Sequence, residues 1–199
     1  MADMDKRERI IAAAYDVLSE QGYDRASTKE IANAAGVAQG LINYYFSSKE
    51  LLFAEVFRRE TDKYCGSFNN LRAYGALKLD TAVLREILRA PQERTLEEPG
   101  WFRLRSELAA LGLRSEQARL TLQDTLRAKR LYLSELIETI AHLPKEEADQ
   151  ISGILLSVFD GLGLQRTADP DYDYEGAFDM LAQLLGAYLQ NRTKKESGG

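Results

Sequence analysis

Apolar residues recur along this chain at the spacing of an α-helix almost from end to end. In the first segment, Ile10, Ala14, Val17 and Leu18 follow the i, i+4, i+7, i+8 rule, so they fall on one side of a helix. Gly22 supplies the residue type that commonly ends such a helix. No stretch shows the alternation of apolar and polar residues that indicates a strand. The pattern therefore predicts an all-α protein.

Two short helices are predicted next, and local signals set their ends. Ser27 and Glu30 form a capping box, in which the serine oxygen accepts from the backbone N–H of Glu30 and the glutamate reaches back. Gly36 breaks this helix, and a second short helix is predicted over 39–45. Two short helices around a glycine turn can serve the packing of the core alone. The same arrangement is found in the helix-turn-helix motif, whose second helix enters the major groove of DNA.

Longer helices are predicted for the rest of the chain. A second capping box at 47–50 opens a helix that is expected to continue to about Tyr74. Asp80 can cap the next helix, and Pro91 is expected to stop it because an interior proline removes a hydrogen bond and clashes with the preceding turn. The polar residues 92–99 are then predicted to form a loop, after which helical periodicity resumes.

The second short helix carries residue types that suit a DNA groove. Gln39 can pair with adenine, and Gly40 lets the backbone approach DNA closely. Tyr44 and Lys49 are long enough to reach phosphates. The N-terminus of the preceding helix, at Thr28, offers further backbone N–H groups to a phosphate. These residues are the candidate DNA contacts.

The stretch from Ser27 to Leu52 closely resembles the DNA-binding domain of the TetR family of repressors. The resemblance rests on an AGV turn, a YYF segment and an SKE cap within about 25 residues, and it covers about the first quarter of the chain. It implies a homodimer of about nine helices per subunit, Ω-shaped, in which a small ligand in the body shifts the fourth helix and spreads the two heads.

The family's DNA contacts can be carried over residue by residue. They fall at Thr28, Gln39, Gly40, Tyr44 and Lys49. Ala38 stands where a serine is usual, which removes a helix-capping side chain and one phosphate contact. Asn43 stands where an aromatic residue is frequent, and it can contact DNA itself because asparagine pairs well with adenine.

The resemblance and the helix pattern together predict the domain organisation. Residues 1–52 are expected to form a three-helix, helix-turn-helix DNA-binding domain, and residues 53–191 a helical ligand-binding and dimerisation domain. Residues 192–199 form a polar tail that ends in glycine and is expected to be disordered.

Two further sets of residues are candidates for the functions of the body. The candidate ligand contacts are aromatic residues with one arginine: Tyr64, Phe68, Trp101, Phe102, Arg105 and Tyr132. The candidate dimer interface is the apolar face of the last two helices: Ile151, Leu155, Val158, Phe159, Leu162, Phe178, Leu181, Leu185 and Tyr188. For both sets the alternative is that apolar residues at helical spacing belong to the core of one subunit.

Composition narrows the classes of function. The chain has 199 residues, of which 45% are hydrophobic, so a core can form without disulfides. Cys65 and His142 are single residues of their types, which leaves no zinc or catalytic set, so we expect no cofactor, no metal and no enzyme activity. No apolar run approaches the ~20 residues of a membrane helix, and we expect a cytoplasmic protein with no membrane partner.

The charge balance complicates a nucleic-acid partner. The net charge is −5, and the residues up to Leu52 include six Lys or Arg and eight Asp or Glu. The leading hypothesis is a ligand-responsive repressor that binds double-stranded operator DNA as a homodimer, with a small-molecule effector that the sequence does not identify. The acidic head leaves open an alternative, a helical protein-interaction adaptor that has lost DNA binding.

Overall fold

The structure is a computed structural model that describes residues 2–197, with side chains from 6 to 192. Over these residues it contains nine α-helices, one 3-10 helix and no strand, as the pattern predicts. The α-helices are α1 Ala2–Gln21, α2 Thr28–Ala35, α3 Gln39–Tyr45, α4 Lys49–Gly66, α5 Thr81–Glu97, α6 Pro99–Gly112, α7 Glu116–Ala141, α8 Lys145–Ala168 and α9 Tyr174–Ser197. The 3-10 helix, Asn69–Ala76, lies between α4 and α5.

The chain divides into two compact units. The head unit contains Met1–Tyr64 and Glu98–Ala128, and the body unit contains Cys65–Glu97 and Lys129–Gly199. The compact unit around the three predicted head helices is thus larger than residues 1–52. The expected tail at 192–199 begins inside α9, which runs to Ser197, while Gly198 and Gly199 lie outside the described residues.

The head unit is built on one apolar core. Ile10 and Ile11 of α1 and Ile31 of α2 are almost completely buried, and Phe57 of α4 and Leu108 of α6 close the same cluster. A three-helix unit of about 50 residues buries only a limited fraction of its surface and is marginal alone, so α4 and α6 add apolar area to its core.

The body unit has its own core between α5, α8 and α9. Leu84 and Leu88 of α5 pack with Leu155 of α8 and Phe178 of α9. The rings of Phe178 and Phe159 are stacked, with centroids 5.9 Å apart.

Three predicted helix ends differ from the structure. The α4 helix ends at Gly66 rather than near Tyr74, because glycine and the following asparagines are poor helix formers. Its N-cap is Ser48, whose Oγ accepts from the N–H of Leu51 at 3.3 Å. The capping box predicted over 47–50 would have made Ser47 the N-cap, one residue earlier.

Pro91 does not stop α5, and the loop predicted over 92–99 is wrong. The helix runs through the proline to Glu97, and only Glu98 separates it from α6, which has Pro99 in its first turn. Beyond the proline, Thr95 Oγ1 donates to the carbonyl of Pro91 at 3.2 Å. A proline removes one helix hydrogen bond, and in α5 the helical turns before and after Pro91 form despite that loss.

Candidate nucleic-acid interface

The capping box of α2 forms as predicted and orients the first helix of the motif. Glu30 N–H donates to Ser27 Oγ at 3.2 Å, and Ser27 N–H donates to the Glu30 carboxylate at 3.0 Å. These hydrogen bonds from Ser27 lower the pKa of Glu30. The helix ends at Gly36, which adopts the left-handed conformation with φ +62°.

Arg9 of α1 holds the turn between α2 and α3. Its Nη2 donates to the carbonyl of Ala35 at 2.6 Å and to the carbonyl of Gly36 at 3.2 Å. A Cβ at position 36 would lie 2.8 Å from this nitrogen, so a larger residue would displace the end of the Arg9 side chain, while the backbone angle itself favours glycine. The sequence pattern gives no signal for this role of Arg9, because its partners are 26 and 27 residues away and no motif connects them.

The α3 helix spans Gln39–Tyr45, the predicted range, and it is anchored by its inner side. Ile42 is 1% exposed and Phe46, directly after the helix, is buried. The N-cap residue Ala38 makes no side-chain hydrogen bond to the first turn. The helix is therefore positioned by packing rather than by its N-cap.

Four of the predicted contact residues lie together on the outer face of α3. Gln39, Gly40, Asn43 and Tyr44 are all exposed, and Tyr44 is 74% exposed. Positions i, i+1, i+4 and i+5 share one side of a helix, so the four residues form a single surface. A Cβ added to Gly40 would meet nothing within 4 Å. We call these four residues the α3 face.

Thr28 joins the α3 face through a hydrogen bond. Gln39 Nε2 donates to Thr28 Oγ1 at 3.3 Å, which links the first turn of α2 to the first turn of α3. Lys29 follows Thr28 and is exposed. The N-terminal turn of α2 therefore offers a cation and helix N–H groups beside the α3 face, as phosphate binding requires.

Lys49 lies against Tyr23 instead of pointing freely into solvent. Its Nζ donates to the backbone carbonyl of Tyr23 and lies 4.2 Å from the centroid of the Tyr23 ring. Burial lowers the pKa of Lys49. An ammonium has three donors, so two remain for another acceptor when one is used by Tyr23.

Tyr23 is a junction that the sequence did not reveal. Its N–H donates to Glu107 of α6 at 2.7 Å, its hydroxyl donates to Glu50 of α4 at 3.0 Å, and its ring lies 4.6 Å from that of Phe53. Burial, and then the bond to Glu50, raises the pKa of Tyr23 to about 12. The turn between α1 and α2 is therefore tied to α4 and α6 at the same residue.

The six candidate ligand residues fall in two units. Tyr64, Trp101, Phe102 and Arg105 belong to the head unit, and Phe68 and Tyr132 belong to the body unit. Trp101 is 3% exposed, and its ring lies 5.0 Å from that of Phe57 in the head core. Tyr132 donates to the side chain of Asn69 at 3.0 Å. Their role as ligand contacts stays a prediction.

The candidate dimer residues divide between the core and the surface. Leu155, Phe178 and Leu181 are buried within the body core of the single chain. Ile151, Val158, Phe159, Leu162 and Leu185 are partly buried against the same core. Tyr188 is 44% exposed and donates to the Glu147 carboxylate. On the same two helices, Ile154 and Leu184 are more than 60% exposed.

Comparison with known proteins identifies the motif. Residues 10–56 match the model of the family described as bacterial regulatory proteins, tetR family. The regulator BetI of Rhizobium meliloti is 28% identical over 164 residues, which are 81% of this chain and 78% of BetI. No helix within residues 2–197 is both long and apolar enough to cross a membrane.

Solved structures show the same fold along nearly the whole chain. A putative TetR-family regulator from Mesorhizobium loti is 17% identical, with a TM-score of 0.75 over 94% of this chain and 98% of that one. FadR from Bacillus subtilis, solved in complex with stearoyl-CoA, is 20% identical, with a TM-score of 0.66 over 89% of this chain and 96% of FadR. Residues 10–56 therefore match the DNA-binding part of the tetR family of bacterial regulatory proteins, the chain has the fold of solved TetR-family regulators, and it is a helix-turn-helix transcriptional regulator.

Proposed function

We propose that this chain is a homodimeric repressor that acts in the cytoplasm, binds double-stranded operator DNA through the α3 face and leaves it when a small-molecule effector binds. The observation that carries the proposal is the exposure of Gln39, Asn43 and Tyr44 on a helix whose opposite side is fixed by Ile42. Amide side chains on the outer side of a short helix can read adenine in the major groove. No catalytic group is needed for this function.

The effector part of the proposal rests on similarity and on the Tyr23 junction. The structure of Bacillus subtilis FadR was solved with stearoyl-CoA, which shows that this fold holds a ligand in that protein. In the present chain, Tyr23 connects the head to α4 through Glu50 and to α6 through Glu107. A ligand that displaces either helix would therefore act on the turn in front of α2.

The dimer part of the proposal rests on the outer surface of α8. Gly153, Ser157 and Gly161 follow one another at intervals of four, so they lie on one side of the helix. An added Cβ at Gly161 would meet nothing within 4 Å. Small residues let a second helix approach closely, and the exposed Ile154 and Leu184 would add apolar contact. Two copies would bind two half-sites about one turn of DNA apart, or a multiple.

The test is a binding assay with the full chain and labelled double-stranded genomic fragments, begun at low salt and repeated at rising salt. We expect selective retention of a few fragments, with affinity that falls steeply as salt increases. On a retained fragment, Asn43→Ala should weaken binding about 5-fold to 150-fold, the range for losing a bidentate base contact. Asn33→Ala is the matched control, because Asn33 is also exposed but lies on α2.

Two results would contradict the proposal. If the chain binds no fragment at low salt, the adaptor alternative is favoured. If Asn43→Ala lowers the melting temperature while the affinity per folded molecule stays that of the parent chain, the α3 face has been assigned wrongly.

A further inference from the structure

A cleft of about 430 Å³ lies within the head unit between α4 and the first half of α7. This volume is in the range of small-molecule sites. Its apolar lining comes from Leu51 and Ala54 of α4 and from Leu120 and Ala128 of α7. Leu51 is 45% exposed and Leu120 is 41% exposed, so both leucines leave part of their surface uncovered beside the cleft.

Thr61 is one of the residues that line this cleft, and its buried hydroxyl has no hydrogen-bond partner. The residue is 2% exposed, and its Oγ1 is buried without a hydrogen bond. A threonine inside a helix commonly donates to the carbonyl four residues earlier, as Thr121 does to Gln117 at 3.1 Å on the opposite wall. A buried hydroxyl without a partner is unfavourable unless something in the cleft bonds to it.

The charged residues of the cleft are predominantly acidic. The lining contains three carboxylates, on Glu55, Asp62 and Asp124, and one cation, Arg58, which bonds to Glu55 at 2.8 Å and to Asp62 at 2.8 Å; Arg7, outside the lining, also bonds to Glu55 at 2.9 Å. In the described part of the chain Asp124 forms no ion pair, and it is exposed. The excess of carboxylates favours a cationic ligand over an anionic one.

We propose that this cleft binds a small amphipathic amine, and that the amine is the effector of the regulator. The ammonium group donates to the Thr61 hydroxyl oxygen, the acidic lining balances its charge, and the alkyl part covers Leu51 and Leu120. The role as effector rests on the proposed function, whereas the binding of the amine does not.

Glu55 connects the cleft to the helix-turn-helix. Its carboxylate accepts from Arg58 and also from Arg7 of α1 at 2.9 Å. The guanidinium of Arg7 lies 5.3 Å from the centroid of the Phe46 ring, at the end of α3. An ammonium in the cleft shares the Glu55 carboxylate with Arg7, and binding thereby changes a contact that reaches the DNA-reading helix.

The first experiment compares three probes of equal chain length on the full-length protein by titration calorimetry. The probes are hexylammonium, hexanoate and hexanol, which have six carbons each and differ in the charge of the polar group. We expect saturable binding of hexylammonium, with at least tenfold weaker binding of the other two. Equal or tighter binding of hexanoate overturns the proposal, because the acidic lining would then not select the ligand.

Two variants locate the site. Asp124→Asn should weaken hexylammonium binding roughly threefold, as expected for an exposed charge, while the control Asp171→Asn should leave it unchanged. Thr61→Val removes the hydroxyl at constant shape, so we expect a higher melting temperature together with weaker amine binding. Equal affinities of the two Asp variants, or a lower melting temperature for Thr61→Val, overturn the site.

The effector role has its own readout. Hexylammonium at saturation should lower the affinity for a retained DNA fragment, and Asp124→Asn should shift this effect to higher amine concentration. If the amine binds at the cleft and DNA affinity is unchanged, the effector role is overturned while the site stands. If the chain without amine binds no DNA, the proposed function fails independently of the cleft.

Discussion

Gly36 and Gly40 belong to the same motif and are glycines for different reasons. Gly36 has φ +62° and contacts Arg9, so its own chain requires it. Gly40 has ordinary helical surroundings and open space where a Cβ would be. Nothing among the described residues requires a glycine at position 40, and we propose that close approach of DNA is the reason for it.

Replacing Gly40 with alanine separates DNA binding from folding. We expect Gly40→Ala to stabilise the chain by up to about 1 kcal/mol, because alanine is the better helix former. The added methyl group should nevertheless weaken binding to a retained DNA fragment in a fluorescence anisotropy assay. Gly66→Ala is the control, since its Cβ would also meet nothing within 4 Å but it ends α4. Equal DNA affinities of the two variants would mean that DNA does not approach Gly40.

Glu55 makes a pH-dependent contribution to the head. Hydrogen bonds from Arg58 and then from Arg7 lower its pKa to about 2. A carboxyl whose pKa is lowered by folding stabilises the folded state at any pH above its pKa in the unfolded chain, which is near 4.5. This stabilisation is lost as the pH falls from about 4.5 towards about 2.

The variant Glu55→Gln isolates that contribution. In denaturant unfolding we expect it to be less stable than the parent chain near neutral pH, and we expect the difference to shrink between pH about 5 and about 3. Glu97→Gln serves as the control, because Glu97 is exposed on α5. A difference that stays constant across this pH range would rule out an ionic origin.

At the scale of elements, α3 is a helix that lacks a side-chain cap. Ala38 has the extended backbone of an N-cap residue, with φ −67° and ψ 139°, yet it cannot accept from the first turn. The helix has only seven residues, too few to be stable by propensity alone. The packing of Ile42 and Phe46 therefore stabilises α3 in place of a capping side chain.

Ala38→Ser should strengthen both α3 and its contact with DNA. A serine at this position would accept from the first turn, which contributes about 1 kcal/mol to the free energy of unfolding. Its hydroxyl would also be available to a phosphate, so we expect tighter DNA binding. The control Ala34→Ser places the same change on the exposed side of α2, where we expect a slight loss of stability. If Ala38→Ser gains stability without DNA affinity, α3 does not meet the phosphate backbone at its N-terminus.

At the scale of the whole molecule, we propose that two copies pair through the outer side of α8. The predicted interface residues Leu155, Phe178 and Leu181 are already buried by their own chain. Exposed apolar area remains at Ile154 and Leu184 on α8 and α9.

Gly161→Leu tests the pairing of subunits. Since a Cβ at position 161 would meet nothing within 4 Å among the described residues, we expect a folded protein that sediments as a monomer. Its binding to DNA with two half-sites should weaken more than its binding to one half-site, because avidity is lost. Gln123→Leu, an equally apolar change at an exposed position of α7, is expected to leave the dimer intact. A dimer in both variants would place the interface elsewhere.

The helix-turn-helix is the part of the molecule that sequence patterns predicted best. Ser27 with Glu30, and Gly36 at the turn, act on residues at most four positions away, so their effects can be read from spacing alone. The range of α3 and the outward side of Gln39, Asn43 and Tyr44 follow from the same local periodicity. Pro91 does not end α5 as the sequence predicts, because the local rule for proline takes no account of the packing of a long helix.

Contacts between distant residues were decided only by the folded chain. The hydrogen bond from Arg9 to the carbonyl of Ala35 spans 26 residues, the bond from Tyr23 to Glu107 spans 84, and the bond from Arg7 to Glu55 spans 48. Lys49 lies against Tyr23, and the Thr61 hydroxyl is left without a partner, for the same reason. Helical spacing shows which side of a helix is apolar, but which other helix covers that side depends on the packing of the whole unit.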